Sequence, residues 1–259
     1  MTRDRFQLIC SNLHFNNSEA VPNTPGDALF KVRPVLDSLV EKWKETYSLG
    51  EHISIDEGMQ NWKGRLFFRV YTKEKTIKYG IKSFLFADSR TGYCWNLDIY
   101  HKPRKTWKET VQWLLTDRCV GIYHSLFMDN LHNSVELNEF LLDKNVYTVG
   151  TFRASRGEPP EISKPGKMNK NEVIARDNGK VMVLSWMDKR EVKMISTKHD
   201  SSTGKVCHKE KGSVKEVTKP KCVIEYNKYM AGVDRVDQMI SYYPCTRKTT
   251  NWTKKLFST

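Results

Sequence analysis

The chain has 259 residues, 39% of them hydrophobic and 11% aromatic, enough to bury a sizeable core and too apolar for a disordered segment. Lysine and arginine total 43 against 30 aspartates and glutamates, and the net charge of +13 favours a polyanionic partner, nucleic acid above all. No apolar run reaches the ~20 residues of a membrane span, "MTRDRFQLIC" holds no signal-peptide core, and six cysteines without a C-x-x-C pair fit reduced thiols in cytosol or nucleus.

Residues 1–50 read as helical. "RDRFQLICSNLHF" spaces Phe6, Ile9 and Leu13 on one helical face, and "PVLDSLVEKWKETY" does the same with Val35, Leu36, Leu39, Val40, Trp43 and Tyr47. The turn-rich "NNSEAVPNTPGD" separates them. From residue 51 the period shortens. "EHISIDE", "LFFRVY", "YGIKSFLFAD" and "GYCWNLDIYH" are β-branched and aromatic runs, with "DSRTG" at 88–92 as a hairpin turn between the last two. "TWKETVQWLLTDR" opens with Thr106 and Glu109 at capping-box spacing and predicts a helix. A strand "GIYHSLFMD", a turn "NLHN", a helix "SVELNEFLLDK" and a strand "NVYTVGT" follow. The order β-β-β-α-β-α-β combines a meander with helical crossovers, which requires a mixed sheet with helices on its faces. The fold class is therefore mixed α/β, in the order of a ribonuclease-H-like core of the retroviral-integrase type, spanning 51–151 in its first part.

Residues 152–222 break the pattern with 17 lysines and arginines against 9 acids. They hold one hairpin-like pair, "KVMVLSWMD" and "REVKMIST", and read as a basic insertion into the core, with a solvated loop as the alternative. Residues 223–244 resume the apolar pattern, with a helix starting near Met230 that returns to the sheet. Residues 245–259 begin another amphipathic run. "CH" at 207–208 with Cys222 has too loose a spacing for zinc, and no structural zinc is assigned.

Three acids stand apart from the surface charge. Asp56 lies among apolar strand residues in "ISIDEGM", Asp129 directly follows "GIYHSLFM", and Asp234 lies on the helix after the final strand, with Asp237 three residues on. In the inferred sheet the first two occupy neighbouring strands and the third a helix beside both. Convergent carboxylates repel unless a cation sits between them. Oxygen ligands suit Mg²⁺ or Mn²⁺, and two such ions about 4 Å apart form a clamp for in-line phosphoryl transfer. Three structural readings stay open: a strand-end turn at Asp56, an Asx turn at Asp129 and a helix cap at Asp234.

"SIDEGM", "KGRLFFRVY", "KYGIK", "DSRTGY", "MDNLHNSVEL", "YNKYMAGVDRVDQM" and "YYPCTRKTTNW" together, in this order, resemble blocks of the piggyBac transposases and the domesticated proteins derived from them. The resemblance implies a three-aspartate catalytic site at Asp56, Asp129 and Asp234, with Asp237 as a fourth metal-binding acid and a two-metal Mg²⁺ or Mn²⁺ centre. It further implies excision of double-stranded DNA at transposon ends, joining at TTAA targets, a homodimer and residence in the nucleus. Residues 1–50 and 245–259 match parts of a helical dimerisation and DNA-binding region, and no cysteine-rich module follows, so autonomous transposition is not expected. Two functions are carried: a metal-dependent transposase core, and a domesticated, non-catalytic DNA-binding or chromatin-associated protein. Lys63, Arg65, Lys78, Lys82, Arg153, Arg156, Arg247 and Lys248 are candidate phosphate contacts. Trp62 and Trp252 are assigned to core packing ahead of base stacking.

Overall fold

The protein is described by a computed structural model covering residues 1–17, 26–73, 75, 77–101, 106–210, 213–242 and 249–257. Helix α1 spans Arg3–Asn12, with Thr2 Oγ1 accepting from Arg5 N, and α2 spans Arg33–Thr46. The strands β1 (His52–Asn61), β2 (Val70–Tyr71), β3 (Tyr79–Asp88) and β4 (Cys94–Ile99) form the meander. Between β3 and β4 the Asp88 carboxylate accepts from the amides of Gly50, Arg90 and Thr91, closing the turn expected at 88–92. Then come α3 (Trp107–Leu115, capped by Thr106), β5 (Ser125–Met128), α4 (Val135–Asp143, capped by Ser134) and β6 (Tyr147–Thr151).

β1 pairs antiparallel with β3 and parallel with β5, which pairs parallel with β6, while β4 lies on the far edge of β3. The order β4-β3-β1-β5-β6, antiparallel on one side and parallel through helices on the other, is the ribonuclease-H-like core. Of "LFFRVY" only Val70 and Tyr71 pair, because β4 occupies the outer edge of β3 from Ser83 to Ala87 and leaves only Tyr79 and Gly80 for β2.

The segment 152–222, expected as an insertion, continues the central sheet over much of its length. After the short α5 (Pro160–Ser163), β7 (Val173–Asp177), β8 (Met182–Met187) and β9 (Glu191–Ser196) extend it to nine strands through β6–β9 pairing. The run "MVLSW" of β8 is buried along its length, as a strand covered on both faces requires. Outside that sheet, β10 (Thr203–Glu210) and β11 (Ser213–Pro220) form a two-stranded ribbon. The returning segment is two helices where one was expected, α6 (Lys221–Tyr229) and α7 (Gly232–Tyr242), and α8 (Trp252–Phe257) follows. Gly232 lets α7 start close to β1, since a Cβ there would lie 2.2 Å from Ser54 Oγ.

Because side chains alternate along a strand, each face has its own core. Ile53, Ile55, Phe84, Leu126 and Met128 face α3 and α4, meeting Val111, Leu114, Leu137 and Leu141. On the opposite face Phe127 and Val149 lie beneath Cys222, Val223 and Tyr229 of α6, and Leu85 and Ala87 beneath Val233 and Val236 of α7. Each fully buried aliphatic or aromatic side chain contributes about 1.5–3 kcal/mol. Among the described residues no helix is long and apolar enough to cross a membrane.

Candidate active site

The register of β1 and β5 brings the first two acids together. Ile55 stands opposite Met128, so the next step along these parallel strands places Asp56 and Asp129 at the same end. Both belong to the alternation of Ser54 and Phe127, the face covered by α6 and α7. Asp56 Oδ1 accepts from the amide of Glu57 at 2.7 Å. Burial raises the Asp56 pKa and the charge of Asp129 adds to it, against the Glu57 amide and Lys75. At Asp129 burial acts in the same direction but loses to His132 and to the amides of Leu131 and His132, which leave its pKa below the ordinary value.

The loop after β5 is what holds Asp129. Its Oδ1 accepts from Leu131 N at 2.9 Å, an Asx turn, and from His132 Nδ1 at 2.8 Å. The Asx reading and the site reading are thus compatible. His132 is fully buried, edge-on to Trp107 at 4.9 Å and Phe84 at 5.9 Å, and among the described residues its Nε2 has no hydrogen-bond partner. Asn133 Nδ2 reaches the carbonyls of Met128, Asp129 and Thr151 at 2.9–3.1 Å, in a space that a Cβ on Gly150 would fill. From outside, Arg156 donates to the carbonyls of Leu131 and Asn133 at 3.1 and 3.3 Å.

α7 carries the remaining acids. Val233 and Val236 pack onto Leu85 and Ala87, and Leu85 stands opposite Asp56 on β3, so Asp234 and Asp237 ride on the helix over the sheet-borne pair. Asp234 lies in the first turn of α7, where a carboxylate also suits the helix dipole. Crowding raises the Asp237 pKa, with the charge of Asp234 adding to it and Lys75 opposing. Tyr226 of α6 responds to the same charges. Burial pushes its phenol up to about 12, with Thr151 opposing and the charges of Asp129, Asp56 and Asp234 adding to the rise. Lys75 donates to the Glu57 carbonyl at 3.1 Å, and its charge acts on Asp56 and Asp237 alike.

Among the described residues no three acidic, histidine or cysteine side chains stand close enough to enclose a metal ion. The structure therefore joins Asp56 with Asp129 and sets Asp234 and Asp237 on the overlying helix without closing them into one ligand shell. The donor chemistry fits a hard divalent cation: every candidate ligand is a carboxylate, and the half-buried Asp56 faces a second negative charge.

A model of the transposase family described as "Transposase IS4" matches residues 1–259. The chain belongs to that family. Its curated relatives include the human PiggyBac transposable element-derived protein 3, 27% identical over 271 residues, or 97% of this chain and 45% of that protein. The human PiggyBac transposable element-derived protein 2 is 25% identical over 268 residues, 96% of this chain and 45% of its own. The cryo-EM structure of the piggyBac transposase synaptic complex with hairpin DNA superposes with a TM-score of 0.86 at 28% identity, covering all of this chain and 54% of that one. The chain thus spans about half the length of the relatives it matches. It is a piggyBac-type member of the family, with the ribonuclease-H-like core that this likeness carries.

The basic candidates of this piggyBac-type chain divide by environment. Lys63 and Arg65 are exposed after β1, Lys78 is exposed before β3, and Arg153 is exposed after β6. Lys82 is half-buried, pairs with the Glu57 carboxylate and lies over the Phe84 ring, so its charge is already matched. Arg156 spends one guanidinium nitrogen on the Asp129 loop. Arg247 and Lys248 lie outside the described residues. Trp62 is 6% exposed in the core, and Trp252 packs edge-on to Phe68. Sequence reasoning missed His132, Tyr226, Asn133 and Lys75. His132 and Asn133 had a signal, since "MDNLHN" puts both in the turn after Asp129. Tyr226 opens the block "YNKYMAGVDRVDQM", and Lys75 had no signal.

Proposed function

We propose that this chain is the DNA strand-cleaving and strand-transfer core of a piggyBac-type transposase, with Asp56, Asp129 and Asp234 as catalytic acids. The observation that carries the reading is the parallel register of β1 and β5. It sets Asp56 and Asp129 side by side beneath the helix bearing Asp234. Asp56, Asp129 and Asp234, with Asp237 beside them, would hold Mg²⁺ or Mn²⁺, which supplies activation of a water or 3′-hydroxyl and charge relief at the leaving oxygen.

The chain's own residues do the positioning. His132 and the Leu131 amide hold Asp129 by Oδ1, which leaves Oδ2 for the site. Asn133 and Arg156 fix the loop that carries it. Lys63, Arg65, Lys78 and Arg153 grip backbone phosphates and add affinity without reading sequence. Transposon ends and TTAA targets as the substrate, homodimerisation and nuclear residence belong to the same proposal, of which the DNA partner is supported by the DNA complex of the structural neighbour.

The test is Mg²⁺- or Mn²⁺-dependent nicking of DNA bearing a TTAA-flanked transposon end. Asp129→Asn should abolish nicking and leave DNA affinity unchanged. The human transposable element-derived relatives favour a second reading, a domesticated DNA-binding protein without catalysis. DNA binding by the wild type without nicking would decide for it.

A further inference from the structure

The loop between β1 and β2, "KGRLFFR", alternates in exposure. Lys63, Arg65, Phe67 and Arg69 face outward while Phe68 is buried at 5% exposure. Phe67 is 80% exposed, the most open aromatic ring among the described residues. A single exposed phenylalanine is ordinary, but this one is held in place: it meets Phe68 edge-on at 5.1 Å and 85°, and Phe68 meets Trp252 edge-on at 5.3 Å and 88°. These three rings line a recess of about 530 Å³, within the range of small-ligand sites, whose other side is formed by Phe30 and the exposed Lys31.

The charge at this recess is positive. Arg65 and Lys31 stand on it, and among the described residues no carboxylate pairs with either. Its one acid, Asp27, is neutralised by a two-pronged contact from Arg33 at 2.7 and 2.9 Å. An aromatic face beside two unmatched cations is complementary to a base attached to its phosphates. A base inside a duplex has both faces stacked and cannot offer one to Phe67. The fit is therefore to an unpaired nucleotide.

We propose that this recess seats an unpaired DNA nucleotide, its base stacked on Phe67 and its phosphate between Arg65 and Lys31. The inference rests on the DNA-binding reading above and adds a strand-selective site away from the acids. Such a site would retain a base released when the duplex is opened.

The experiment measures binding of a short fluorescent single strand and of a fully paired duplex of two separate strands to the intact chain without divalent metal, so that catalysis plays no part. Phe67→Ala should weaken the single strand by about 5- to 100-fold and the duplex by less than twofold, while Phe67→Tyr keeps the wild-type affinity. The wild type should also quench 2-aminopurine in the single strand, and Phe67→Ala should not. Because Phe67 is exposed, its truncation should leave the melting temperature unchanged, so a loss cannot be blamed on folding. Equal single-strand affinity of wild type and Phe67→Ala, absence of quenching by the wild type, or tighter binding of RNA than of DNA would each overturn the proposal while leaving the transposase reading intact. Failure of the wild type to bind either form of DNA would overturn both.

Discussion

The two ends of the β1–β5 pair treat carboxylates in opposite ways. At the starting end, Glu225 of α6 is surrounded by cationic and imidazole groups. Lys198 Nζ reaches its Oε1 at 2.8 Å and also Glu51 at 3.1 Å and Ser125 Oγ at 2.9 Å, His199 binds its Oε2, and His52 Nε2 lies 3.4 Å away. Burial pushes the Glu225 pKa up, but His199 and Lys198 outweigh it and bring the group down to about 2. At the finishing end, the cationic and imidazole groups that act on Asp56, Asp129 and Asp237 among the described residues are Lys75 and His132. Charge-matched acids pin α6 to the sheet, and under-matched acids cost stability and are available for chemistry.

Asymmetric substitutions test this contrast most directly. Asp56→Asn should lower nicking by a factor on the order of 10⁴ while leaving the melting temperature unchanged or raised, since it deletes a half-buried charge facing another. A clear drop in melting temperature would make Asp56 a structural acid. His132→Leu should slow nicking by about 10- to 100-fold and weaken Mn²⁺ binding, whereas His132→Asn, which can still donate to Asp129, should recover most of both. Equal losses in the two variants would remove the orienting role.

At the other end the signs reverse. Glu225→Gln should cost about 2 kcal/mol, a fall in melting temperature of roughly 4–8 °C, with nicking per folded molecule unchanged. The same cluster sets an acid dependence. With Glu225 depressed to about 2 from an ordinary 4.5, its stabilisation is complete above pH 4.5 and is lost as pH falls from there toward 2. Melting temperatures over that window should fall more steeply for the wild type than for Glu225→Gln, and parallel curves would show that the cluster is not coupled to folding. The smallest effects concern the basic surface. Arg153→Ala should lower the slope of log affinity against log salt by about one, whereas Lys82→Ala, already matched by Glu57, should leave the slope alone and register only in stability.

Much of the core could be read along the chain because its signals are local. Thr106 caps α3 where the capping-box spacing put it, and the alternation of Ile53, Ile55 and Asp56 marked a strand with two different faces. In the region 152–222 the sequence marked the β8–β9 hairpin but not its place in the sheet. The fully buried β8 is hydrophobic on both faces, and nothing within it announces that β9 will pair with β6. The family blocks pointed to Asp56, Asp129 and Asp234, and two of the groups that condition them, His132 and Tyr226, lie in the same blocks, but nothing local marks their contacts: Tyr226 acts from α6, Lys75 from the β2–β3 connection, and His132 is wedged between Phe84 and Trp107.

By itself the sequence determined the element types, the meander followed by helical crossovers, the basic composition and the elements that carry the acids, because turn chemistry, capping and side-chain alternation act over a few residues. Only the tertiary structure decided how those acids are held. The pairing of Ile55 with Met128, the seating of Gly232 on Ser54 and the charge imbalance between the two ends of β1 and β5 all arise from contacts between segments far apart in the chain, and no local pattern encodes the register between strands or the field of one segment at another.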